Sequence, residues 1–164
     1  MPPLMPGIYI HVPFCRKKCG YCDFYSVEDL GSAEAYTQAV IAEAEYYART
    51  GMFSGAAVDT IYCGGGTPAC IGGARVARIL DALRRQWPVA PDAEITVELN
   101  PESTDAPLLH TLKSAGVTRV SLGVQSFHDT TLSFLGRVHT ADDARRACAL
   151  IAAACFPSWG LDLM

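Results

Sequence analysis

Short apolar runs alternate with segments of helical period four times along this chain, and that alternation admits few folds. Residues 7–12 read as a strand stopped by Pro13. Ser32 predicts the cap of a helix to about residue 49, with Tyr36, Val40, Ala44 and Tyr47 on one face. A second strand covers 58–63, and a second helix runs over about 73–87, with Val76, Ile79, Leu80, Leu83 and Trp87 at helical spacing and Pro88 ending it. A third strand covers 93–99. Pro107 suits the first turn of a third helix, which Gly116 closes. A fourth strand over 118–124 precedes a short helix at 130–135. Thr140 with Asp143 forms a capping-box pattern for a helix over 141–154, and 159–164 read as a fifth strand. Strands separated by helices pair in parallel, so the expectation is an α/β fold with about five parallel strands and helices outside the sheet.

The 164 residues are half apolar, which suffices for one domain with a core, and no residue-level repeat marks a second domain. The net charge of −4, without a long basic block, argues against a sequence-independent grip on nucleic acid. The most apolar run, 147–156, is about half of the roughly 20 residues a membrane span needs. Residues 1–7 lack a charged stretch followed by an apolar one, so no secretory signal and a cytoplasmic location are expected. A closing strand without a covering helix reads as one domain, 1–164, cut short at its C-terminus.

Seven cysteines without a secretory signal do not describe a disulfide framework. Cys15, Cys19 and Cys22 sit in one loop, spaced so that a tight turn can aim three sulfurs at a common point. Three thiolates suit zinc with a fourth ligand, for which His11 is near in sequence, or three corners of a [4Fe-4S] cluster. Arg16, Lys17 and Lys18 would offset the sulfur charge. Gly64-Gly65-Gly66-Thr67-Pro68 follows the second strand directly. Three glycines are more than a turn requires and let backbone approach a ligand, yet neither dinucleotide nor phosphate-loop spacing is present. Glu98, Gln125 and Asp162 fall at or near strand ends. In a closed or partly closed β/α barrel, those ends and both loops share one rim. Cys63 reads as a core thiol or an oxidation-sensitive one. Cys148 and Cys155 fall on one helix face with Ile151, toward the core. His110 reads as a solvent-facing helix residue, and His128 and His139 as turn residues without a Cys or Asp partner.

Together these motifs resemble the radical S-adenosylmethionine (SAM) superfamily, and more closely its oxygen-independent coproporphyrinogen oxidase-like family. The stretches that carry the likeness run from Tyr9-Ile-His-Val-Pro-Phe-Cys15 and Cys19-Gly-Tyr-Cys22 through Ile61 to Pro68, Glu98-Leu-Asn-Pro101, Ser121 to Phe127, Leu135 to Thr140 and Leu161 to Met164. The resemblance implies a partial (β/α) barrel of the radical SAM type, incomplete at the C-terminus. It implies that Cys15, Cys19 and Cys22 hold a [4Fe-4S] cluster whose open iron takes SAM, and that an electron from the cluster cleaves the sulfonium to an adenosyl radical. By the same resemblance Gly65, Gly66 and Thr67 approach the methionine moiety, Arg137 takes its carboxylate and Glu98 its amino group. Gln125 and Asp162 bond the ribose, Tyr21 packs on adenine and Tyr9 contacts a SAM molecule. No catalytic residue is assigned. The oxidase carries another cysteine where Phe24 stands, and a longer segment ahead of the cluster than the 14 residues here. Both departures point to the haem-chaperone branch, with haem as a further ligand and an electron donor and a haem acceptor as partner proteins. The oxidase, acting on a porphyrinogen, is the alternative. A structural zinc module and a truncated product without function remain further readings.

Overall fold

A computed structural model describes residues 5–53 and 55–164 of the chain. Residues 1–4, most of the segment read for a secretory signal, lie outside the described residues. The elements in order are β1 (Gly7–Val12), α1 (Ala33–Arg49), β2 (Val58–Gly65), α2 (Gly73–Gln86), β3 (Val89–Leu99), α3 (Ala106–Ser114), β4 (Arg119–Gln125), α4 (Asp129–Phe134), α5 (Ala141–Ala154) and β5 (Ser158–Leu163). Short 3₁₀ turns cover Leu30–Ser32, Pro68–Ile71 and Pro101–Ser103.

The strands form one sheet in the order β1-β2-β3-β4-β5, with every pairing parallel. Successive right-handed crossovers between neighbouring strands put all the helices on one side of such a sheet. The strand residues divide accordingly. Ile10 and Val12 of β1, Val58 and Ile61 of β2, Val97 and Leu99 of β3, and Val120, Leu122 and Val124 of β4 are buried and join one core with α1, α2, α3 and α5. The alternate positions carry Tyr9, His11, Tyr62, Glu98, Ser121 and Asp162. One face of the sheet is therefore an apolar floor for the helices, and the other is a polar surface whose upper end becomes a site.

Local chemistry fixes the helix ends. Thr140 Oγ1 accepts from the Asp143 N–H at 3.1 Å while Asp143 Oδ2 accepts from the Thr140 N–H at 2.9 Å, the reciprocal cap expected for α5. Ser32 occupies the cap of α1 but its side chain makes no capping bond; Asp29 instead accepts from the Gly31 N–H at 2.8 Å. Trp87 ends α2 buried, its indole N–H donating to the Met52 carbonyl at 2.9 Å.

Three expectations change. β2 continues through Gly64 and Gly65, which pair with His11 and Val12, because residues without side chains let β1 and β2 stay paired under a crowded rim. β3 starts at Val89, ahead of the apolar run, because Val58 recruits it across an irregularity in the β2–β3 register. Cys155 does not pack into the core: it is exposed at the left-handed C-cap of α5, φ 53°, while Cys148 lies half-buried against the core beside fully buried Ile151. Among the described residues, no helix is long and apolar enough to cross a membrane.

Candidate functional site

The loop after β1 is closed at its base by backbone. The Cys15 N–H donates to the Val27 carbonyl at 3.0 Å, and the Val27 N–H to the Pro13 carbonyl at 2.6 Å. Phe14, buried beneath, meets the Tyr36 ring edge-on at 5.2 Å, and the Tyr36 hydroxyl donates to the His11 carbonyl at 2.7 Å. The cysteine loop is thus riveted to α1 and β1 while its tip stays open. Within it the Cys22 N–H closes a turn on the Cys19 carbonyl at 3.1 Å, and Lys18 N–H donates to Glu28 at 2.9 Å.

The glycine loop lies directly on that base. The Gly66 N–H donates to the Val12 carbonyl at 2.9 Å and the Thr67 N–H to the Phe14 carbonyl at 2.6 Å. A Cβ on Gly66 would sit 2.6 Å from the Val12 oxygen and 2.7 Å from the Phe14 oxygen. A Cβ on Gly65, whose φ is +102°, would run into the His11 ring. These glycines are required by the protein's own close packing, and their backbone lines the cleft above.

Three strand ends complete the cleft. From β3, Glu98 Oε2 accepts from the Gly65 N–H at 3.0 Å and Oε1 from the Tyr62 hydroxyl at 2.6 Å. From β4, Gln125 adopts a left-handed backbone, φ 63°, at a register irregularity with β5. A non-glycine residue held there costs on the order of 1–3 kcal/mol, the kind of strain that clusters at ligand sites. From β5, Asp162 accepts from the Ser121 hydroxyl at 3.1 Å.

Arg137, from the segment before α5, ties these parts together. Its Nη2 donates to Asn100 Oδ1 at 2.6 Å and to the Gly123 carbonyl at 2.9 Å, and its Nη1 to Cys19 Sγ at 3.6 Å. Asn100 Nδ2 donates to Thr67 Oγ1 at 2.7 Å, and that oxygen lies 3.9 Å from Cys15 Sγ. One continuous polar chain therefore runs Cys19–Arg137–Asn100–Thr67–Cys15. Burial pushes the Cys15 thiol above its ordinary pKa, against the Thr67 hydroxyl, whose contact favours the thiolate.

A cleft of about 250 Å³ results, lined by Cys15, Cys19, Cys22, Tyr21, Gly65, Gly66, Thr67, Glu98, Gln125, Arg137 and Asp162, with Lys17 and Lys18 at its edge. Eleven of the twelve residues that the resemblance assigns to the cluster or to SAM are brought together there. Tyr9 is set apart. It lies on a wider groove between β1 and α1, about 420 Å³, which contains no cysteine. Its ring stacks on Tyr62 at 6.0 Å, and the Tyr62 hydroxyl bonds Glu98 of the cleft. His11 is also outside the cleft: its Nε2 lies 2.9 Å from the Tyr25 carbonyl, which only accepts, so Nε2 carries the proton and Nδ1 accepts from the Tyr9 hydroxyl at 3.1 Å. It is not a fourth ligand.

Sequence reasoning missed Asn100, Tyr62 and Gly123. Asn100 stood in the quoted Glu98-to-Pro101 stretch as a residue before a proline, and its position just past β3 was the available signal. His139 is a turn residue as expected, but it is fully buried and its ring lies 3.5 Å from Glu102.

The donor set fits an iron–sulfur cluster. All three thiols are free and open on one cleft, and a guanidinium N–H already points at one sulfur. Among the described residues, no three His, Cys, Asp or Glu side chains sit together as they would around a single metal ion. A cluster offers each ligand a different corner, so its sulfurs need not converge on one point.

A parallel sheet in sequential strand order, with a three-thiol loop and a glycine loop on one rim, defines a class, and the family comparison agrees: the radical SAM superfamily model matches residues 9–164, and the chain belongs to that superfamily. Relatives narrow the likeness. The chain is 42% identical to the protein named Heme chaperone HemW of Mycobacterium tuberculosis over 160 residues, 96% of this chain and 41% of that protein. It is 40% identical to the protein of the same name from Escherichia coli K12, over all of this chain and 43% of that protein. Among solved structures, the coproporphyrinogen III oxidase HemN of Escherichia coli, described as a radical SAM enzyme, superposes with a TM-score of 0.88 at 29% identity, over 98% of this chain and 37% of that one. The chain thus spans about two fifths of the length of these relatives.

Proposed function

We propose that this chain is the cluster- and SAM-binding core of a cytoplasmic haem chaperone. One observation carries the reading: three free thiols share a cleft with the acidic and amide groups of three successive strand ends and with the guanidinium of Arg137. Cys15, Cys19 and Cys22 would hold a [4Fe-4S] cluster, leaving one iron for SAM. When bound, the pair supplies one-electron reductive chemistry at a sulfonium.

The chain's own residues orient and shield that pair. Arg137 is a planar cation whose bonds to Asn100 and Gly123 hold it in place while it faces the cleft, which suits a carboxylate. Glu98 is held by Tyr62 and Gly65 with lone pairs to spare for an ammonium. Gln125 and Asp162 flank the opening as partners for ribose hydroxyls, and Tyr21 offers a ring to adenine. Gly65, Gly66 and Thr67 form the wall for the methionine moiety.

Phe24 supports the chaperone over the oxidase, as do the 40–42% identities to proteins named haem chaperones. In this reading haem is the cargo, an electron-donor protein reduces the cluster and an acceptor protein receives the haem. The TM-score of 0.88 to a coproporphyrinogen III oxidase supports the second reading, decarboxylation of a porphyrinogen.

The test begins with anaerobic reconstitution by iron and sulfide. The expected result is about four irons per chain with a cluster-type visible spectrum, lost in Cys19→Ala. Stoichiometric haem binding without turnover of coproporphyrinogen supports the chaperone. Decarboxylation with SAM and reductant supports the oxidase. Bound zinc in place of iron overturns both.

A further inference from the structure

The segment between α4 and α5 is gripped twice by the same two strand ends. Arg137 makes the outer grip, on the Gly123 carbonyl and the Asn100 side chain. His139, two residues on, makes an inner one: its Nε2 donates to the next carbonyl, that of Val124, at 3.0 Å, and its Nδ1 lies 3.5 Å from Glu102 Oε2. Residues 137 and 139 thus meet carbonyls 123 and 124 on β4, and side chains 100 and 102 past β3.

The inner rung is costly. The His139 side chain is 0% exposed and that of Glu102 14%. Neither His139 Nδ1 nor Glu102 Oε2 has another partner, and Arg137 Nε is buried beside them without one. Burying a carboxylate against an imidazole costs several kcal/mol before their attraction repays it, and an apolar pair would fill the same corner without that debt. Burial pushes the Glu102 carboxyl up, but His139, its own N–H and Arg137 outweigh that and hold it below its ordinary pKa. A carboxylate therefore sits beside the ring, with the charge of Arg137 favouring its ionised form. Such a corner specifies one orientation of the backbone that carries Arg137, where an apolar corner would tolerate several.

We infer that Glu102 and His139 are positioning residues, fixing the 137–139 segment so that the Arg137 guanidinium faces Cys19 and the carboxylate of SAM. The inference rests on the reading of the cleft as a SAM site. Glu102 and His139 touch neither ligand; they act through the arginine.

The test uses the full chain with Glu102→Gln and His139→Gln, the latter keeping a donor for the Val124 carbonyl while losing Glu102. Thr37→Val is the control, since Thr37 is equally buried and bonds only its own helix. Melting temperature, iron per chain, SAM affinity and the SAM-induced change in the cluster's EPR spectrum are measured. Both cleft variants are expected to keep their iron, to bind SAM about tenfold or more weakly, and to blunt the EPR change. The control is expected to lose stability with SAM affinity within about twofold of the parent. SAM affinity unchanged in both cleft variants, or lowered equally in Thr37→Val at matched stability, overturns the inference. An iron-loaded parent chain that binds no SAM overturns instead the reading beneath it, and the inference with it.

Discussion

The Glu98 carboxylate bridges two strands of the sheet, taking the Gly65 N–H on one oxygen and the Tyr62 hydroxyl on the other. A side chain at the end of β3 thereby sets the shape of the loop after β2. Glu98→Ala leaves the Gly65 N–H without its acceptor and is expected to cost about 1–2 kcal/mol, read as a melting-temperature drop of several degrees. Glu98→Gln, which still offers an oxygen to Gly65 and an amide to Tyr62, is expected to lose less than half of that. Equal losses in the two variants would show that the bridge does not set the loop.

Two glycines near the cysteines differ sharply. A Cβ at Gly66 would press on the Val12 and Phe14 backbone, whereas a Cβ at Gly20 meets nothing within 4 Å. Gly66→Ala is expected to destabilise the chain by about 1–3 kcal/mol and to lower iron incorporation, because it lifts the base of the cysteine loop. Gly20→Ala is expected to stay within about 0.5 kcal/mol of the parent in thermal unfolding.

Cys63 is 2% exposed, and burial, then the Glu98 charge, pushes its thiol up to about 12. At pH 8 the reactive thiolate is about one part in ten thousand. Iodoacetamide on the native chain is expected to label exposed Cys155 and leave Cys63 untouched until denaturant is added, with peptide mass spectrometry as the readout. Labelling of Cys63 under native conditions would mean that β2 opens far more readily than its packing implies.

The α5 cap carries a pH signature. Bonds from the Thr140 backbone and hydroxyl, then from Arg146, lower the Asp143 pKa to about 2. A lowered folded-state pKa gives stability that is full above the ordinary aspartate value and fades as pH falls through about 2. Thr140→Ala is expected to cost about 1 kcal/mol at neutral pH. Asp143→Asn should be less stable than the parent at pH 6 and converge with it near pH 2, measured by denaturant unfolding. A difference independent of pH would remove the carboxylate from the explanation.

Alternation of period located every strand and helix, and turn chemistry placed the α5 cap to the residue, since Thr140 and Asp143 meet within one helical turn. The cysteine and glycine motifs were legible because each is a local run. Their neighbours were less so. Asn100 lies 33 residues from Thr67 and 37 from Arg137, and no periodicity reports which distant side chain closes such a bond. His139 is legible in the sequence only as a turn residue; its burial comes from Glu102, 37 residues earlier, and from β4.

Spacing along the chain by itself determined that strands would alternate with helices, and hence that the fold would be parallel and layered, and that three thiols and a flexible backbone would each follow a strand. Only the tertiary structure decided that Arg137 would join Cys19 to Asn100, that Tyr9 would stand apart, and that the glycines would serve packing as much as any ligand. The physical reason is that hydrogen bonds and close contacts form between surfaces brought together by burying the other face of the sheet, and that burial couples residues far apart in the chain.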